Sequence, residues 1–211
     1  MKHANKIGLF IFLNMLGFNA IAQSASENLV TELTACSPSF FSYIHKNEKI
    51  LSKYAPVEQK TDFSHFKVRD RTALGEASTV FFSKPVAING LKLLGYTDSV
   101  MDGTVLNIGM YYSWGLIVEG SPQKLKDSLK QINWQNPEPN IYIGNPQMIR
   151  SVKNSLQWEN TDEILSGTVP TQGTVEKVLI IESQTPNKST ITCNIQGSVT
   201  EELLKQERPD L

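Results

Sequence analysis

Nucleophile and metal chemistry have few residues to draw on in this sequence. Cysteine occurs twice and histidine three times in 211 residues. A zinc site needs three or four ligands, and with the cysteines paired the histidines alone are too few. No metal and no cofactor is therefore expected. There is no G-x-S-x-G elbow, no H-E-x-x-H, no Walker loop and no G-x-G-x-x-G. Their absence removes the signatures of serine hydrolases, zinc proteases and nucleotide-binding folds. An excess of one charge is also missing. Lys and Arg total 20 against 21 Asp and Glu, for a net charge of −1. No basic stripe stands out, so nucleic acid is not an expected partner. Internal repeats and low-complexity tracts are absent as well.

Only one long apolar run is present, and it lies at the beginning. Lys2, His3 and Lys6 precede Ile7 to Phe18, which is interrupted only by Asn14. Ala20-Ile21-Ala22 then supplies a small-x-small cleavage site. These are the three parts of a secretory signal peptide over residues 1–22. The run is too short for a membrane span, which needs about 20 apolar residues. Residues 23–211 are then expected as a single exported domain, long enough to bury a core. The expected location is the periplasm of a Gram-negative bacterium, with secretion beyond the outer membrane as an option.

"LTAC", Leu33 to Cys36, also resembles a lipobox, which would make Cys36 a lipidated N-terminus. A lipobox adjoins the apolar run, however. Here Glu27 and Glu32 intervene, and carboxylates do not belong in a membrane segment. The other use for Cys36 is a disulfide with Cys193. An even cysteine count in an exported chain favours that pairing.

The remaining pattern reads as α+β. Ser37-Pro38 begins a helix with Phe40, Phe41, Ile44, Leu51 and Tyr54 on one face. Residues 56–66 look like a polar loop. Ser78 to Ser83 is a strand that ends at Pro85. Val86 to Val100 is extended, with bends at Gly90 and Gly95. Asp102-Gly103 is a hairpin signal. After it Met110, Tyr112, Trp114, Leu116 and Val118 alternate with Tyr111, Ser113, Gly115 and Ile117, so one face is covered and Tyr111 points the other way. Ser121-Pro122 starts another helix. Asn136 to Asn140 reads as a break, and Asn145-Pro146 as the start of a further helix or a strand. The stretch from Thr161 to Gly173 is loop-like. Val175 to Ser183 and Thr190 to Val199 form a final hairpin, with Ile191, Cys193 and Ile195 on one face. Thr200 to Leu211 is a short helix or a tail that frays. The expectation is a mainly antiparallel sheet packed with two or three helices, two similar lobes being one arrangement of it.

Candidate site residues are sparse. Asp62 and His65, three apart, are a candidate cation or acid–base pair. Arg69 and Arg71 would face one way on a strand and could grip a phosphate or carboxylate. Tyr111, the aromatic opposite the core face, is a candidate for partner recognition, with Tyr96 and Trp158 as further aromatics. His45 reads as a boundary residue of the first helix. No catalytic residue is assigned. The best functional expectation is a non-catalytic binding protein with a protein partner in the envelope, for example an inhibitor or immunity-type protein. The alternatives are a small envelope hydrolase built on Asp62 and His65, and an envelope assembly subunit.

Overall fold

The computed structural model describes residues 28–73, 75–88, 90–162 and 169–211. The signal peptide expected over residues 1–22 lies outside the described residues, as do residues 163–168 of the loop expected after Thr161. Ten strands are described. β1 (Val57–Gln59) and β2 (Ser64–Phe66) make a small ribbon. The other eight are β3 (Thr79–Ile88), β4 (Leu91–Gly103), β5 (Gly109–Glu119), β6 (Trp134–Glu138), β7 (Ile141–Ile149), β8 (Glu159–Asn160), β9 (Val175–Thr185) and β10 (Lys188–Gly197). They form one antiparallel sheet in the order β3-β4-β5-β10-β9-β7-β6, with β8 also on β7. The expected α+β class with a mainly antiparallel sheet is what the chain adopts. Its two halves join edge to edge through β5 and β10 in this one sheet.

Five helices accompany the sheet: α1 (residues 28–34), α2 (Ser39–Lys46), α3 (Glu48–Leu51), α4 (Pro122–Ser128) and α5 (Glu201–Glu207). Two of them start at a side-chain cap. Ser121 caps α4 by accepting from the Lys124 N–H, with Pro122 in the first turn. Thr200 caps α5 in the same way through Leu203. The long first helix expected from the sequence is broken at Asn47, whose backbone leaves the helical region, so the stretch becomes α2 and α3.

All five helices pack on one face. Leu33, Phe40, Phe41, Ile44, Leu51, Leu125 and Leu203 join Tyr112, Trp114, Leu116 and Val118 of β5 in one buried cluster. Ile191, Cys193 and Ile195 of β10 and Leu179 and Ile181 of β9 complete it. The registers Trp114↔Cys193↔Leu179 and Leu116↔Ile191↔Ile181 stack these side chains in rows. This is the covered face that the alternation in both hairpins called for.

Several local expectations need correction. Residues 56–66 are not a plain loop but the β1–β2 ribbon. β3 runs through Pro85, and β6 contains Pro137, because both lie at the sheet edges, where a missing N–H breaks no ladder. The register also skips at both prolines. The hairpin turn is displaced from Asp102-Gly103. Asp102 Oδ1 accepts from the Thr104 N–H and hydroxyl and starts a 3₁₀ turn (Thr104–Leu106) instead. The left-handed positions then fall on Asn107 and Gly109. Pro146 begins no helix, since β7 passes through it. The C-terminal residues do not fray. Arg208 and Asp210 are fully buried.

Candidate functional site

The sequence-derived candidates separate into four places. Asp62 is exposed in the β1–β2 turn, and Arg69 is exposed in the loop that follows β2. His65 and Arg71 do converge on one buried cluster, His65 from within the core and Arg71 from its half-buried rim. His65 is carried by β2, and its Nδ1 lies 3.1 Å from Asp210 Oδ2. Arg71 Nε donates to Asp98 Oδ2 at 2.8 Å. Between the two carboxylates sits Arg208. Its Nη1 and Nη2 donate to Asp98, and its Nε and Nη2 donate to Asp210, all at 2.9–3.2 Å. Tyr96 adds a hydroxyl donor to Asp98. The guanidinium is also held between the rings of Phe41 and Trp114, 4.7 and 4.8 Å from their centroids.

This cluster has the makings of an active site but not the access. His65 and Asp210 have side chains 2% and 0% exposed, so a substrate atom cannot reach the pair in this conformation. Burial pushes the Asp210 carboxyl up, but Arg208 and His65 outweigh it and hold it well below the usual carboxylate range. A carboxylate so firmly ionised and doubly forked to arginine is a poor proton acceptor. Its role is to anchor the C-terminus beneath the sheet. Among the described residues, no group of three or more His, Cys, Asp or Glu could hold a metal ion.

Tyr111 lies elsewhere, on the face opposite every described helix. Its hydroxyl donates to Asn194 Oδ1 at 2.6 Å, and burial pushes the phenol up. Register places Ser99, Ser113, Asn194 and Val178 in one row and Met101, Tyr111, Gln196 and Glu176 in the next. Toward β7 the face turns apolar: Ile143 and Val178 are buried, with Met148 and Ile180 packed on them. Two large apolar side chains point outward from it on the other side, Phe81 at 52% and Met101 at 40% exposure. The sequence had announced this face. Thr190, Thr192, Asn194 and Gln196 alternate with Ile191, Cys193 and Ile195, which leaves a polar ladder for the second side of β10.

The other two candidate aromatics, Tyr96 and Trp158, are not on this face. Tyr96 is buried in the core, and Trp158 lies under the Lys177 ammonium, 4.2 Å from the ring centroid, with its Nε1 donating to Glu207. His45 is half-buried with its Nδ1 3.1 Å from Ser64 Oγ. Asp98, Arg208 and Asp210 were missed as a group because their sequence neighbourhoods read as a strand edge and a charged tail. Two clefts of about 380 Å³ open elsewhere. One lies at the β4–β5 turn, between Ile108, Met110, Pro170 and Val199. The other lies at the β7 bulge and is lined by side-chain amides, Asn133, Gln135, Asn145, Gln147 and Asn160 among them.

No family model, curated protein or solved structure matches the chain. No described helix is long and apolar enough to cross a membrane. The Cys36–Cys193 disulfide is formed, with its Cα atoms 5.3 Å apart.

Proposed function

We propose that this chain is an exported, non-catalytic binding protein of the bacterial envelope, and that its protein partner docks on the face of the sheet opposite the described helices. The observation that carries the reading is the asymmetry of the sheet. The five described helices bury one face, while the other carries a small buried apolar cluster, a hydrogen-bonded tyrosine and two outward apolar side chains, Phe81 and Met101. An apolar centre within a Ser/Thr/Asn surround is the anatomy of a protein–protein interface. The compartment is supported by the signal-peptide pattern and by a disulfide, which persists in oxidising surroundings. An inhibitor or immunity-type protein, which works by covering another protein, fits both. The buried His65–Asp210 pair supports a scaffold role for those residues rather than a catalytic one.

The test is affinity capture from periplasm with the wild-type chain and a Met101→Arg variant as baits. Met101 is exposed, so the charge leaves the core alone. A partner held by the wild type is expected to bind the variant at least about ten-fold more weakly, because a charge would enter the docking face beside Tyr111, where Met101 stands outward. Equal retention of the partner by both baits would remove this face from the reading.

A further inference from the structure

We infer that the cleft at the β7 bulge is a sugar subsite, which takes a neutral oligosaccharide through its hydroxyl and acetamido groups. The cleft exists because two short strands share one edge of β7 and leave a gap between them. β6 starts at Trp134, opposite Gly144, and β8 ends at Asn160, opposite Gln147. Asn145 and Pro146, between those rows, have no register partner on either side of β7. Asn145 also takes a left-handed backbone, with φ at 50°. The gap is held open by firm contacts around it. Asn145 Nδ2 donates to the Thr34 carbonyl at 3.0 Å, and the Thr161 N–H donates to the Pro146 carbonyl at 3.1 Å. Thr34 ends α1, two residues before the Cys36–Cys193 bridge. A ligand therefore meets walls already in place, which lowers the ordering cost of binding.

The lining is almost wholly polar and uncharged. Asn133 and Gln135, at the start of β6, line it with no side-chain hydrogen bond among the described residues. Gln147 and Asn160 bond each other, Nε2 to Oδ1 at 3.2 Å, which leaves the Gln147 oxygen and the Asn160 nitrogen for a ligand. The cleft thus offers amide donors and amide acceptors side by side. Adjacent sugar hydroxyls, each a donor and an acceptor, are the complement of that set. Ala35 and Pro146 supply a small apolar step for the C–H face of a sugar ring. Other ligand classes fit less well. Among the described residues no lysine, arginine or histidine lines the cleft, so a phosphate or carboxylate finds no counter-charge. Asp162 is the one described carboxylate there, too few for calcium or magnesium. No large apolar pocket is present for the anchoring side chain of a peptide. The cleft volume of about 380 Å³ lies within the range of small-molecule sites, about 300–1,000 Å³.

The probe is N,N′-diacetylchitobiose, titrated into the purified chain and followed by backbone and side-chain amide chemical shifts. Binding in the millimolar range is expected, with shifts centred on residues 133–135, 145–147 and 160–162. Asn133→Ala and Gln135→Ala remove side chains that hold nothing in the fold. Each is expected to weaken binding about three- to ten-fold, the scale of one neutral hydrogen bond. Asn187→Ala, an exposed amide in the β9–β10 turn, should leave it unchanged. Absence of shifts in those segments overturns the subsite, as does wild-type affinity in both cleft variants. So does tighter binding of N-acetyl-trialanine amide at the same residues, which would make the cleft a peptide site. Cosedimentation with isolated cell-wall sacculi, competed by the disaccharide, identifies wall glycan as the source of the sugar. Disaccharide binding without cosedimentation identifies a free oligosaccharide. Met101 lies on β4, four strands from β7 in the sheet. Met101→Arg should therefore leave sugar binding intact, so the docking face and the sugar subsite stand or fall separately.

Discussion

Replacing Arg208 with alanine is expected to cost about 3–5 kcal/mol of folding stability, read as a lowered urea midpoint with an unchanged slope. Domains of this size are stable by only about 5–15 kcal/mol in total, so the variant will be largely unfolded when warm. The reason is what remains behind. Asp98 and Asp210 are each 0% exposed, and without Arg208 they lose four of their donors. A buried carboxylate without a partner carries most of its desolvation penalty uncompensated. The lost stacking on Phe41 and Trp114 adds to that. Arg208→Lys should recover little, because a single ammonium cannot fork to two carboxylates. Deleting residues 208–211 removes Asp210 together with Arg208 and strands Asp98 alone. A triple variant, Arg208→Met with Asp98→Asn and Asp210→Asn, should be more stable than Arg208→Ala by itself. Removing all the charges costs less than orphaning some of them. A loss below about 1 kcal/mol for Arg208→Ala, the scale of an exposed pair, would show that water already reaches the cluster.

The same cluster sets a pH dependence. The folded Asp210 carboxyl is depressed, so its contribution is fully present above the unfolded value of about 3.9 and is lost as pH falls below it. Wild-type stability should therefore drop on the acid side of about pH 4 more steeply than that of Asp210→Asn. The variant starts from a lower plateau at neutral pH and has no carboxyl there to titrate.

These residues also mark where sequence reading stops. The faces of β5 and β10 were legible because alternation is a local signal, and each strand carries it over many residues. Tyr111, Asn194 and Gln196 were placed on the second face by period alone. The partners of Arg208 were not legible. Arg208-Pro209-Asp210-Leu211 has the composition of a solvated tail, and Asp98, its principal partner, lies 110 residues away. No periodicity links them, since the pairing is created by tertiary packing of α5 against the sheet. Pro85 and Pro137 misled for a related reason. Proline disqualifies a central strand but not an edge, and edge position is a property of sheet order.

Removing the disulfide is the other change of large expected effect. The bridge spans a sequence separation of 157 residues. Chain-entropy arithmetic for such a loop gives about 5 kcal/mol as an upper figure, and native bridges of small exported domains deliver about 2–5. The Cys36→Ala, Cys193→Ala double variant should lose stability in that range by denaturant titration. It also opens a gap in the core beside Trp114 and Leu179, the register neighbours of Cys193. A loss under about 1 kcal/mol would mean that α1, α2 and the sheet hold together without the staple. Reduction should be slow as well as costly. Cys36 and Cys193 are 4% and 0% exposed, so a thiol reagent reaches them only after the turn between α1 and α2 lifts from β10. Dithiothreitol should leave the native chain oxidised over times in which it reduces the urea-unfolded chain completely. Rapid reduction of the native state would place that turn among the loosely held parts. Intact mass reads the same chemistry from the other side. A sulfur committed to Cys193 is closed to acylation, so the purified chain should be two hydrogens lighter than its reduced form and carry no lipid at Cys36.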